Sequence, residues 1–302
     1  MILGYHRIVE VDRDPFQLCV SPENFRRHLE DLRRRARPTR LSVLVQEVRE
    51  GAVTQGAVAL TFDDAYRDTL DVVQPILAEF DFPATVFVPT GALGREQWWD
   101  RLQRLLSGAE ALSRPLNLQV GNAEFHWAGS PEAESPDENA HPLETGERLL
   151  WDLYWMLVAA GEEAREAALS EVSEWAGGGP PRGSEARVVK EDELRDFAAS
   201  PLIEIGSHSV SHPMMAELPR AMMEREVRVS KRTLEDLIGD EVSIFSYPNG
   251  SRSTETDRVV REAGCLAACA SQNDVVAGGS DLFHLPRFWP GDSPEAVSQL
   301  LG

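Results

Sequence analysis

Ala57-Val58-Ala59-Leu60-Thr61-Phe62 runs directly into Asp63-Asp64. The apolar run reads as a buried strand, and two acids stand where it ends. Neighbouring side chains on a strand point to opposite faces, so both carboxylates serve one site only if the chain bends just after Phe62. Far downstream Leu202-Ile203-Glu204-Ile205 repeats the pattern and opens into Gly206-Ser207-His208-Ser209-Val210-Ser211-His212. Strand ends are where parallel α/β folds place their sites. One acid can ligate a cation there while its neighbour remains available as a base. The plainer alternative for Asp64 is a helix N-cap.

His208 and His212 are four apart, a spacing that on a helix puts both imidazoles on one face. Pro213 follows immediately and disfavours helical geometry at His212, so a loop or single turn is expected, with Gly206 permitting a tight exit. Two neutral imidazoles and a carboxylate suit zinc or a similar divalent ion (Co, Mn, Ni or Fe), with a coordination position left for water. The competing assignment is a pair of capping or core histidines.

Composition narrows the partners. The 302 residues, 42% of them hydrophobic, suffice for one large core. Thirty basic against 50 acidic residues give a formal charge of −20, which disfavours nucleic acid and anionic membrane surfaces. Cys19, Cys265 and Cys269 are too few for a disulfide framework, and the last two lie in an apolar stretch and are expected to pack as small hydrophobes. The first residues lack the basic-then-apolar order of a signal peptide, and no run approaches the ~20 apolar residues of a membrane span. A cytoplasmic protein is therefore expected, of undetermined oligomeric state.

Strands and helices alternate along most of the chain. Strands are expected at 2–8, 57–62, 84–88, 202–205, 242–246, 266–270 and 284–288. Helices are expected at 22–32 behind a Ser21 cap, 42–48 behind a Ser42 cap, 69–80, 191–199, 220–238 and 254–263. This order predicts parallel pairing with right-handed crossovers: an α/β, distorted (β/α) barrel of about seven strands. The chain is taken as one catalytic domain over 1–302, interrupted at 95–187 by a mainly helical insertion. Within that insertion Gly121 to Glu147 holds seven acids and no Lys or Arg, and reads as a solvated loop or short hairpin. Trp98 and Trp99 either line a groove or pack an amphipathic helix; Trp151, Tyr154 and Trp155 are expected in the core.

The two site motifs together resemble the NodB-like polysaccharide deacetylases, metal-dependent carbohydrate esterases. Their Thr-Phe-Asp-Asp-Gly is matched by Thr61-Phe62-Asp63-Asp64-Ala65, and their His-Ser/Thr-x-x-His by His208-Ser209-Val210-Ser211-His212. Phe245-Ser246-Tyr247-Pro248-Asn249-Gly250 is a looser match to a third motif. The helix Glu226 to Glu235 and Leu285-Pro286-Arg287 are also similar to the family. The resemblance covers about 1–95 and 188–290.

The resemblance implies Asp63 as general base, Asp64, His208 and His212 as metal ligands, and the backbone N–H of Asn249 as an oxyanion donor. It implies a general acid from His6, in Tyr5-His6-Arg7, or from His284; His6 is preferred. Arg287 is expected either to pair with Asp63 and hold it ionised or to form a surface salt bridge. The chain departs from the family pattern at Ala65, where glycine is usual, at Asn249, where an aromatic is usual, and in lacking the third motif's arginine. The expected reaction is metal-dependent hydrolysis of an N-acetyl group on a sugar, glycoside or glycan precursor. The alternatives are a deformylase or other amidohydrolase on the same scaffold, and a non-catalytic carbohydrate-binding protein with a decayed site.

Overall fold

The computed structural model describes residues 1–107, 110–129, 145–178 and 187–301. The chain divides into two compact units, Met1–Arg95 with Arg187–Gly302, and Glu96–Ala186.

The first unit opens with β1 (Ile2–Tyr5) and, after a break at His6, β2 (Arg7–Ile8). The single strand expected over 2–8 is thus two, and β2 turns away to pair in parallel with β3 (Cys19–Val20). Ser21 caps α1 (Pro22–Arg35): its Oγ accepts the Asn24 N–H at 3.3 Å, and Phe25, Leu29 and Leu32 form the buried stripe. After β4 (Arg37–Pro38), α2 (Leu41–Glu50) begins ahead of Ser42, with Arg40 at the cap position. Ser42 lies inside the first turn, and its hydroxyl donates to the Glu204 carboxylate instead of capping.

β5 (Ala57–Phe62) follows, then a π-turn over Thr69–Val73 that leads into α3 (Gln74–Phe80). One continuous helix was the expectation here. Pro75 has no N–H to offer Asp71, and the Gln74 N–H reaches back five residues to the Thr69 carbonyl. β6 (Ala84–Val88) ends this half of the unit.

The second unit contains α4 (Trp98–Leu106), the antiparallel hairpin β7 (Leu116–Val120) and β8 (Ala123–Trp127), α5 (Thr145–Ala159) and α6 (Glu162–Trp175). The hairpin starts earlier than expected, with Gly121 at its turn. The rest of the acidic stretch at 130–144, and Gly179-Pro180-Pro181, lie outside the described residues. Trp98 and Trp99 are buried, Trp98 stacking on Tyr154 at 5.2 Å, so the packing alternative describes them and the groove does not. Trp155 reverses its expectation: it is 60% exposed, because α5 turns that position away from the core lined by Leu149, Leu153 and Leu157.

The first unit resumes with α7 (Glu191–Ala198), β9 (Ile203–Ser207), α8 (Arg220–Ile238), β10 (Ile244–Ser246), α9 (Thr254–Glu262), β11 (Ala267–Cys269) and α10 (Ala296–Leu300). The sheet runs β1-β5-β6-β9-β10-β11, with β4 also pairing β5, and every ladder is parallel. The segment expected as a strand at 284–288 is instead two single parallel bridges, Cys269↔Leu285 and Leu3↔Phe288. Those bridges join the two outer strands and close a seven-strand α/β sheet into a distorted barrel.

Strand alternation sorts the core. Leu3, Tyr5, Val58, Leu60, Phe62, Val86 and Val88 pack outward with the α1 and α3 helices. Ile2, Ala57, Ala59, Phe87, Ile244, Ala267, Cys269 and Leu285 face the other way and meet Leu41, Leu44, Val45 and Val48 of α2. Asp63 continues the inward row. No described helix is long and apolar enough to cross a membrane.

Candidate metal centre

The site lies where the parallel strands end. Asp63 follows β5, its N–H bonded to the Tyr5 carbonyl at 2.9 Å; His208 follows β9, its N–H bonded to the Val88 carbonyl at 3.1 Å. The bend required after Phe62 is present: Asp64 and Ala65 both adopt left-handed backbone, at φ 69° and 48°. Alanine therefore occupies a conformation that glycine adopts without strain. The turn brings Asp63 and Asp64, both nearly fully buried, to one place.

Asp64, His208 and His212 form a compact group whose ligand atoms all lie within 4.8 Å of one another. Asp64 Oδ1 stands 3.8 Å from His208 Nε2 and 3.6 Å from His212 Nε2. These gaps are too long for hydrogen bonds. Two ligands each about 2 Å from a zinc-sized ion stand about 3.3 Å apart at the tetrahedral angle, a few tenths shorter than the separations here. His208 Nδ1 lies 2.8 Å from the Ser246 carbonyl, which can only accept, so Nδ1 carries the hydrogen and Nε2 presents its lone pair towards Asp64. Burial lowers the His208 pKa, against the opposing effects of Asp63 and the Ser246 carbonyl, which favours the neutral ring a cation needs. The donor set fits a divalent cation.

The histidine segment is a loop, with Ser209 at φ 65° and His212 at φ 53°. Gly206 does not make its exit. It lies inside β9, and a Cβ there would stand 2.4 Å from the Phe87 ring, so its lack of a side chain admits that ring.

Asp63 is not one of the three grouped ligands, although its Oδ2 stands 3.8 Å from His208 Nε2, as near as Asp64 Oδ1 does. Arg287, fully buried, grips both its oxygens: Nη1 donates to Oδ1 at 2.7 Å and Nη2 to Oδ2 at 2.8 Å. Ser246 Oγ donates to Oδ2 at 3.2 Å, and Arg287 Nε donates to the Ala270 carbonyl at 3.0 Å. Burial alone would raise the Asp63 pKa, but the Arg287 guanidinium, aided by His208, holds it well below the usual carboxylate range. The pair is internal, so the surface salt bridge considered for Arg287 does not describe it.

His6 follows β1 and stacks on Trp289 at 4.8 Å, and the Arg287 guanidinium lies over the same tryptophan at 4.6 Å. Gly4 makes the seat, since a Cβ there would stand 2.7 Å from the Trp289 ring. Burial pushes His6 down to about 4, Asp63 acting upward and Arg287 and His208 downward. His284 precedes the barrel-closing bridges, its N–H on the Asp281 carbonyl at 2.9 Å. His284 lies in a bend rather than a strand and is half-buried. Asn249 is exposed in the turn after β10, at φ 54°.

Ser246, Trp289 and Glu226 carried no role in the sequence analysis. Ser246 lay inside a loosely matched motif that could have flagged it. Trp289 had no signal beyond standing two residues after Arg287.

The sequence model of the polysaccharide deacetylase family matches residues 50–112 and 170–268, over half the chain. The chain belongs to the polysaccharide deacetylase family. These deacetylases are carbon–nitrogen hydrolases, and membership implies an acetylated carbohydrate as the class of substrate. The matched ranges contain Asp63, Asp64, His208, His212 and Asn249, and neither His6 nor Arg287. Solved deacetylase structures share the fold. The Streptococcus pyogenes deacetylase PplD, solved with acetate, is 16% identical with a TM-score of 0.63, over 100% of this chain and 97% of its own. IcaB from Ammonifex degensii is 16% identical with a TM-score of 0.63, over 99% and 94%. A Bacillus cereus polysaccharide deacetylase is 12% identical with a TM-score of 0.60, over 100% of this chain and 68% of its own. No curated protein matches the chain in sequence.

Proposed function

We propose that this deacetylase hydrolyses the N-acetyl amide of a sugar or glycan precursor, with Asp64, His208 and His212 holding a divalent cation, zinc by preference. The observation that carries the reading is Asp63: a buried carboxylate held on both oxygens by Arg287, beside a three-residue donor set and not part of it. A cation bound there supplies a Lewis acid that acidifies water and polarises an acyl oxygen.

Asp63 takes the proton of the attacking water. Arg287 and Ser246 fix the direction of its lone pairs, and the guanidinium keeps it charged throughout the working pH range. The same pairing makes it a weak base, which suits a proton taken from an acidified water. The backbone N–H of Asn249 donates to the oxyanion as it forms.

His6 protonates the departing nitrogen. The resting ring is neutral, so it takes a proton from solvent as negative charge builds on the substrate and passes it to the nitrogen as the C–N bond breaks, while Asp63 returns the water proton to solvent. His6 is preferred to His284 because Asp63, Arg287 and His208 all act on its ring. A cytoplasmic place of action belongs to the same proposal and is checked by cell fractionation.

Asp63→Asn is the test. Acetate release from N-acetylated sugars should fall about 10²- to 10⁴-fold while bound metal stays at the wild-type ratio. Undiminished turnover would remove Asp63 from the mechanism.

A further inference from the structure

The histidine loop is held from behind by one carboxylate. Glu226, on α8 and only 6% exposed, accepts the N–H of Val210 and the N–H of Ser211 on Oε2, both at 2.8 Å. Its Oε1 accepts the Ser211 hydroxyl at 3.0 Å. Three donors from the two residues midway between His208 and His212 thus converge on one buried acid. Among the described residues no cation is paired with it.

The loop needs such a hold. Its two left-handed residues, Ser209 and His212, hold backbone that L side chains disfavour, and inside the loop the His212 N–H donates to Ser209 Oγ at 3.0 Å. Ser230, one helical turn after Glu226 on the same face of α8, bonds Ser207 at the end of β9 at 2.8 Å. On the other side the Gly91 N–H donates to the Val210 carbonyl at 2.9 Å, and a Cβ on Gly91 would stand 2.7 Å from that oxygen. The loop is therefore clamped between α8 and the turn after β6. The only full negative charge in the clamp comes from Glu226.

We propose that Glu226 is a positioning residue for the metal centre. Its carboxylate fixes the Val210–Ser211 backbone so that both imidazoles are presented to Asp64 before any cation arrives. This rests on the assignment of Asp64, His208 and His212 as ligands. Outer partners of metal ligands commonly govern affinity about 10- to 100-fold.

Co²⁺ is titrated into metal-free wild type, Glu226→Gln, Glu226→Asp, Ser211→Ala and His208→Ala. Visible absorption reads binding, and the metal-free thermal midpoint is measured in parallel. Glu226→Gln should raise the Co²⁺ dissociation constant about 10- to 100-fold. Glu226→Asp, which restores the charge, should recover part of the loss, and Ser211→Ala should show a smaller loss than Glu226→Gln. A Glu226→Gln affinity within about twofold of wild type overturns the proposal, whatever happens to its thermal midpoint. If Glu226→Gln does not unfold cooperatively, Ser211→Ala decides, and a wild-type affinity there overturns it. His208→Ala separates the two levels of failure. If it binds Co²⁺ as well as wild type, the ligand assignment falls and this proposal with it. If it loses binding while Glu226→Gln keeps it, only the role of Glu226 falls.

Discussion

At the scale of single residues, the site is built on backbone that side chains usually avoid. Asp64 and Ala65 are consecutive left-handed residues, and that bend is what lets two neighbouring acids face one site. Ala65→Gly removes a strain of about 1–2 kcal/mol and adds unfolded-chain entropy of about 0.5–1, so stability should rise by up to about 1.5 kcal/mol. Ala65→Val, β-branched and fully enclosed, should lower it; denaturant midpoints measure both. His6 offers a pH test. Its folded pKa of about 4 lies below the unfolded value of about 6.5, so the folded chain binds fewer protons between them. The contribution of the neutral ring is full above the unfolded value and is lost as pH falls through the folded one. In metal-free protein, wild type should therefore lose more stability than His6→Gln between about pH 7 and pH 4. Equal slopes would show that the ring is not held neutral. The grouping of Asp64, His208 and His212 was legible in the sequence because the acid pair ends one apolar run and the two histidines follow another. Ser246 and Glu226 were not, because their partners lie 183 and 15–16 residues away and only the fold names them.

At the scale of elements, most strands and helices were legible from apolar periodicity, and the misses have local causes. Pro75 widened one helix start, Arg40 displaced Ser42 as a cap, and the final strand was reduced to two bridges. Glycine was the least legible residue. Gly206 looked like a hinge and is a packing site, and only the neighbouring strand shows why. Gly206→Ala drives a methyl into the Phe87 ring and should cost about 1–3 kcal/mol by overpacking. An unaltered denaturant midpoint would mean that Phe87 moves freely. By contrast, Ser21→Ala removes a cap read correctly from sequence and should cost about 1 kcal/mol.

At the scale of the whole molecule, the barrel carries the proposed ligands just past strands remote in sequence, so a cation bound there would tie distant parts of the chain together. Saturation at about 100 times the dissociation constant should stabilise the protein by about 2.7 kcal/mol, seen as a rise in thermal midpoint that chelator reverses. His208→Ala should abolish the rise. The overall order of elements, and hence the barrel, could be read from the chain because parallel crossovers leave few topologies open. Closure of the barrel could not, since it depends on one bridge at each edge.

Arg287 sits between those two bridges, on the last stretch to join the sheet. During synthesis a ribosome delivers Asp63, Asp64, His208 and His212 long before it delivers the guanidinium that keeps Asp63 charged. A nascent or prematurely terminated chain ending before residue 287 thus holds every proposed ligand yet lacks the partner of its base. Such fragments would also lack the Leu3↔Phe288 bridge at one edge of the sheet, so the charged base and the closed barrel would arrive together, once synthesis passes residue 288.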